Sequence, residues 1–179
     1  MRALVVGGSG SGKSAFSERL CCTLGSPRTY VATMATDGQE ARMRIERHRA
    51  QRADLDFSTI ERTSSLAGCE PDPTAASGVL LLDDLGNLAA NALFSPDGTM
   101  ADPHEVLERL AGEVIGLTGR FCHAVVVGNL VGSEGKPTYP TTEAWVRLVG
   151  ALCCRLAQSF DTVVEVTAGV ATPVKGVLP

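Results

Sequence analysis

A chain of 179 residues with 44% hydrophobic side chains has enough apolar material for one well-buried core, which excludes a disordered or fibrous protein. A formal charge of −4 with only 4% aromatic residues argues against nucleic acid as the main partner, since that needs a basic, ring-bearing surface. No apolar run approaches the length of a bilayer span, so no membrane insertion is expected.

In chain order, Arg2 to Val6 runs straight into a glycine loop with no secretory leader visible, so a cytoplasmic protein is expected. Strand-length apolar runs recur at Ala3 to Val6, Tyr30 to Ala32, Val79 to Leu82, Ala124 to Val127 and Val163 to Val166. They are continuous rather than alternating, as in strands covered on both faces of a parallel sheet. Helices are predicted over Ser14 to Leu24, over Pro103 to Leu117 and over Thr142 to Phe160, where Ala144, Leu148, Leu152 and Leu156 keep helical spacing. Ser95 to Asp102 and Gly132 to Thr141 read as loops. Val163 to Val174 reads as a hairpin turning at Ala168-Gly169, and Pro173 places its last strand at a sheet edge. Strand–helix alternation continues throughout, so residues 1–179 are expected to form a single domain.

Gly7-Gly8-Ser9-Gly10-Ser11-Gly12-Lys13-Ser14 fits the phosphate-loop pattern G-x-x-x-x-G-K-S without a mismatch. A strand precedes it and a helix follows, the context in which successive backbone N–H groups can curl around phosphate oxygens. Lys13 is expected to bridge the β- and γ-phosphates, and the Ser14 hydroxyl to ligate Mg2+. The carboxylate that completes such a site is expected at the end of another buried strand. Val79-Leu80-Leu81-Leu82-Asp83 supplies it, while the neighbouring Asp84 reads as solvated. The fold expected is α/β: a three-layer P-loop NTPase (RecA-like) sandwich with a mostly parallel sheet and a C-terminal edge hairpin. These two segments alone do not choose between kinase, hydrolase and switch.

Six cysteines include two vicinal pairs, Cys21-Cys22 and Cys153-Cys154, and no C-x-x-C spacing. Reduced, buried thiols are expected rather than disulfides or a metal site. Gln39 to Arg52 is a predicted helix holding five arginines against two glutamates, a reversal of sign in an acidic chain. Arg44, His48 and Arg52 share one face. A neutral imidazole among guanidiniums can attack a phosphoryl centre, and the same pattern also suits a solvated helix with an incidental histidine.

Gly7-Gly8-x-x-Ser11-Gly12-Lys13-Ser14, Tyr30-Val31-Ala32-Thr33 and Arg44-Ile45-x-x-His48 together resemble the bifunctional adenosylcobinamide kinase / adenosylcobinamide-phosphate guanylyltransferase family of cobalamin assembly. Thr59-x-Glu61, the Asp83 region, Asn129-x-Val131-Gly132 and Val174-Lys175-Gly176 extend the resemblance over nearly the whole chain. It implies phosphorylation of the adenosylcobinamide hydroxyl by ATP or GTP, then GMP transfer from GTP through a histidine that matches His48. It implies nucleotide contacts from Gly7, Gly8, Ser9, Gly10, Ser11, Gly12, Lys13 and Ser14, from Ala32, Thr33 and Met34, from Arg49, Ala50, Gln51 and Arg52, and from Glu61 and Asp83. A homotrimer is implied as well. The chain departs from the family pattern at Leu130, which replaces an acid, at Arg147 and Cys153, which replace Asp and Asn, at Phe57 for Trp, and at Asp83 for Glu. A paralogue acting on another hydroxylated small molecule, or a non-catalytic nucleotide-binding subunit, would keep the same nucleotide core.

Overall fold

The computed structural model describes residues 1–35, 53–131 and 139–179. Among them run β1 (Arg2–Gly7), α1 (Lys13–Leu24), β2 (Arg28–Ala32), a 3-10 turn (Ala53–Leu55), β3 (Phe57–Glu61), α2 (Pro73–Ala76) and β4 (Val79–Asp83). Then follow α3 (Leu85–Leu93), α4 (Pro103–Thr118), β5 (His123–Asn129), α5 (Pro140–Ser159), β6 (Thr162–Thr167) and β7 (Val170–Lys175). The basic segment Gln39 to Arg52, with His48, and most of the loop Gly132 to Thr141 lie outside the described residues. No helix among the described residues is long and apolar enough to cross a membrane.

The described strands form one seven-stranded sheet in the order β3-β2-β4-β5-β1-β6-β7. All neighbours are parallel except β6 and β7, which pair antiparallel as the predicted edge hairpin. Strand β5 intervenes between the loop-bearing β1 and the acid-bearing β4. Alternate side chains of the same strands enter two separate cores, because successive residues of a strand point to opposite faces. Ala3 and Val5 of β1 pack with Leu20 and Cys21 of α1. Leu4 and Val6 face the other way, among Leu85 and Leu88 of α3, Leu110 and Val114 of α4, and Leu152 and Leu156 of α5. Two filled faces explain why the central strands are almost wholly apolar.

Four elements lie beyond the sequence reading: the 3-10 turn, α2, β3 and α3. Strand β3 is an edge strand whose side chains are largely exposed, so it carries no apolar run. Helix α3 begins one residue after β4, and its N-cap is Asp84, whose side chain accepts from the Asn87 N–H at 2.8 Å. Asp84 is therefore not a solvated turn residue. Its carboxylate closes a helix N-terminus, a role worth about 1 kcal/mol. All six cysteines are free, but Cys122 and Cys154 are exposed rather than buried.

Candidate active site

The C-terminal ends of parallel strands gather on one edge of the sheet. Registration sets Gly7 beside Asn129, and Ala32 between Glu61 and Asp83. The phosphate loop leaves this edge at Gly7. Gly10 and Gly12 take left-handed backbone angles, φ 68° and 90°, which side chains with a Cβ rarely adopt. Gly7 is needed for space instead: a Cβ there would lie 2.6 Å from the Val166 carbonyl oxygen and 2.5 Å from Ser11 Oγ. Gly12 is also the N-cap of α1 and has no capping side chain, so the first-turn N–H groups stay directed at whatever the loop encloses.

The loop is braced from both sides through backbone groups. The Leu130 N–H donates to Gly7 O at 3.1 Å, and the Gly169 N–H, in the turn of the C-terminal hairpin, donates to Ser11 O at 2.8 Å. Lys13 Nζ donates to Gly8 O at 3.2 Å, which holds the ammonium over the loop.

Asp83 faces this loop across the sheet edge. Burial, reinforced by the neighbouring Asp84 carboxylate, pushes its carboxyl up to about 6, against hydrogen bonds from Tyr30 and Ser14 and the charge of Lys13. The Tyr30 hydroxyl donates to Asp83 Oδ2 at 3.2 Å. The Ser14 hydroxyl lies near enough to help lower the proton affinity of the Asp83 carboxylate, so two hard oxygen donors stand next to an anion-binding loop. Mg2+ takes one or two such protein oxygens and completes its octahedron with phosphates and water, so the donor set fits that ion.

The other expected contact residues divide. Ala32 and Met34 are partly buried at the same edge, and Glu61 ends β3 beside Ala32. Thr33 is fully buried, and its hydroxyl serves the protein: it donates to Asp84 O at 2.7 Å and accepts from Asp84 N–H at 2.8 Å. His48, Arg49, Ala50, Gln51 and Arg52 fall outside the described residues. Of the departures from the family pattern, Arg147 is an exposed helix residue bonded to Glu143 Oε1 at 2.6 Å. Cys153 instead sits beneath the end of β5, against Gly128, where burial pushes its thiol up to about 11.

Sequence reasoning does not single out the polar cluster around Asp84. Asn129, Asn91 and Trp145 join it, with Trp145 Nε1 donating to Gly86 O at 3.0 Å and Asn91 Nδ2 to Thr33 O at 3.1 Å. The available signals are the acidic pair Asp83-Asp84 at the end of β4 and the place of Asn129 in the Asn129-x-Val131-Gly132 part of the family resemblance. Behind Trp145, between α3 and α5, lies an apolar pocket of about 380 Å3 lined also by Ala90, Phe94, Gly98, Thr141 and Thr142.

Comparison with known proteins follows the same lines. Residues 3–174 match the family model described as cobinamide kinase / cobinamide phosphate guanyltransferase. The chain is 34% identical over 178 residues to the bifunctional adenosylcobalamin biosynthesis protein CobP of Pseudomonas aeruginosa, covering 98% of each chain. Among solved structures, one described as an ATPase domain aligns with a TM-score of 0.50 at 9% identity, over 92% of this chain and 68% of that one. The P4 protein from bacteriophage phi6, in complex with ADP, aligns at 15% identity with a TM-score of 0.48, over 96% of this chain and 52% of that one. The likeness to that ATPase domain is one of fold: a mostly parallel sheet with the glycine loop after β1. With an intact phosphate loop, a facing carboxylate and a family match across almost its full length, the chain belongs to the cobinamide kinase / cobinamide phosphate guanyltransferase family.

Proposed function

We propose that the chain, acting as one domain in a homotrimer, phosphorylates adenosylcobinamide and then caps the phosphate with GMP. The observation that carries this reading is the Asp83 carboxylate at the end of a buried strand, facing Ser14 and Lys13 of a complete phosphate loop, in a chain of this family. In the first reaction the acceptor hydroxyl oxygen bonds to the γ-phosphorus of ATP or GTP and its proton passes to solvent. The bond to the bridging β–γ oxygen breaks, and the nucleoside diphosphate leaves. The loop amides and Lys13 hold the β- and γ-oxygens, so charge that builds on the leaving diphosphate meets donors already in place. Ser14 and Asp83 would hold Mg2+, which supplies charge neutralisation when bound. Ala32, Thr33, Met34 and Glu61 border the nucleotide from the neighbouring strand ends.

In the second reaction a ring nitrogen of His48 bonds to the α-phosphorus of GTP and pyrophosphate leaves. An oxygen of the acceptor phosphate then displaces the imidazole, which frees His48 for another cycle. The guanidiniums of Arg44, Arg49 and Arg52, close to His48 in sequence, would stabilise the charge on the phosphoryl centre, and Ala50 and Gln51 are taken as further nucleotide contacts.

GTP labelled at the α-phosphorus should leave an acid-labile label on the wild-type chain and none on His48→Ala. GTP labelled at the γ-phosphorus should transfer its label to adenosylcobinamide in both. Label that persists on His48→Ala would sink the histidine assignment, and failure of the second transfer would sink the acceptor assignment.

A further inference from the structure

The turn that carries Asp83 is clamped from both flanking strands. On the β2 side the Thr33 hydroxyl holds the Asp84 backbone at 2.7 and 2.8 Å. On the β5 side stands Asn129, the last residue of that strand. Its Oδ1 accepts from the Gly86 N–H at 2.9 Å, and its Nδ2 donates to Asp84 Oδ2 at 3.3 Å. The Gly86 N–H can only donate, which fixes the orientation of the amide and turns Nδ2 toward the carboxylate. A Cβ on residue 86 would lie 2.6 Å from Asn129 Oδ1, so the glycine is what admits the clamp.

Asn129 is also tied to the phosphate loop. It pairs with Gly7 in the β1–β5 register, and the next N–H, that of Leu130, donates to Gly7 O at 3.1 Å. The sulfur of Cys153 on α5 packs against the preceding residue, 2.9 Å from where a Cβ on Gly128 would lie, which seats the strand end on that helix. One residue therefore connects the loop that holds phosphate to the turn that holds the carboxylate. Both atoms of its side-chain amide are engaged by the turn, so it acts through Asp83 rather than on the nucleotide.

We infer that Asn129 is a positioning residue: it sets the distance between the phosphate loop and the Asp83-Asp84 turn, and so governs how well the site uses the metal ion of its nucleotide. The inference rests on the proposed role of Asp83 at that ion. It assigns no ligand contact to Asn129 itself.

The test measures equilibrium binding of a fluorescent GTP analogue with and without Mg2+, beside the ligand-free thermal midpoint and turnover. Asn129→Asp keeps an acceptor for the Gly86 N–H but sets a second carboxylate against Asp84. Adding Asp84→Asn restores donor to acceptor with the polarity reversed, and still leaves an oxygen for the Asn87 N–H. The single variant should lose about tenfold of the Mg2+-dependent affinity, the scale of one charged hydrogen bond turned repulsive. Its kcat should fall more than its KM rises, and its Mg2+-free affinity should stay. The double variant should recover most of the loss. Asn129→Ser, which removes the contact to Asp84 without adding charge, should move the same way and serves if Asn129→Asp does not fold. Wild-type Mg2+ dependence in both single variants, or a double variant no better than Asn129→Asp, overturns the inference. Asp83→Asn separates the two ideas: if it keeps full Mg2+ dependence, the role of Asp83 fails. If it loses that dependence while the Asn129 variants keep it, only the role of Asn129 fails.

Discussion

Tyr30 reaches across from β2 to donate its hydroxyl to Asp83 Oδ2 at 3.2 Å, and this bond works against the burial of that carboxylate. Burial and Asp84 still win, lifting the carboxyl from 3.8 to about 6. The folded chain thus holds this proton more tightly than the unfolded chain does. The stability it contributes is complete below pH 3.8 and is lost as pH rises through about 6. Asp83→Asn, which never ionises, should therefore be more stable than the wild type above that range. The excess is up to about 3 kcal/mol, since each tenfold difference in proton affinity is worth ~1.4 kcal/mol. Ligand-free urea unfolding across pH 4 to 8 checks this, with the gap closing toward the acid end. A gap that widens toward the acid end would show that the cost lies elsewhere. Tyr30→Phe should move the midpoint of the wild-type curve upward.

Lys13 holds its ammonium over the loop through Gly8 O, 3.2 Å away, without a carboxylate partner in that contact. Lys13→Ala should leave ligand-free stability within about 1 kcal/mol of the wild type, because one bond to a backbone carbonyl is lost. Affinity for Mg2+·GTP should drop about a hundredfold, or ~2.7 kcal/mol, as a charge-assisted contact disappears. Calorimetric titration of both proteins reads the difference.

Gly7→Ala tests space rather than backbone angle. The Ser11 hydroxyl can rotate away from the new methyl, but the Val166 carbonyl, 2.6 Å from it, belongs to a paired strand. Overpacking of this kind costs about 1–3 kcal/mol, and the displaced loop should bind GTP poorly. Wild-type affinity with a wild-type unfolding midpoint would mean that the loop yields freely.

Arg147 predicts a near-silent variant despite its departure from the family pattern. Its side chain and that of Glu143 are 79% and 48% exposed, and such pairs contribute less than ~1 kcal/mol. Arg147→Ala should match the wild type in unfolding midpoint and in GTP affinity, measured side by side.

The parts of this molecule that can be read from sequence are those whose cause is local. A strand, a glycine loop, a lysine and a serine are contiguous, and their geometry follows from backbone freedom at Gly12 and from the helix that begins at Lys13. Asp83 is legible because a buried run ends in it. Helix α3 is not, although Leu85, Leu88, Ala89 and Leu93 keep helical spacing, because Asp84 caps it with no intervening loop and the apolar run before it dominates the pattern. Strand β3 is hidden for the opposite reason, having one neighbour and few buried side chains. The bonds from Thr33 and Asn129 to the Asp84 turn span 51 and 45 residues, and only the strand order brings them together.

The hairpin turn seated on the loop has a further use. Because the Gly169 amide is bonded to Ser11 O at 2.8 Å, any rearrangement that rotates the Ser11 peptide must release that proton to solvent. Deuterium uptake at a single position in the C-terminal ribbon thereby becomes a gauge of events at the opposite end of the chain, readable without touching a residue that grips phosphate.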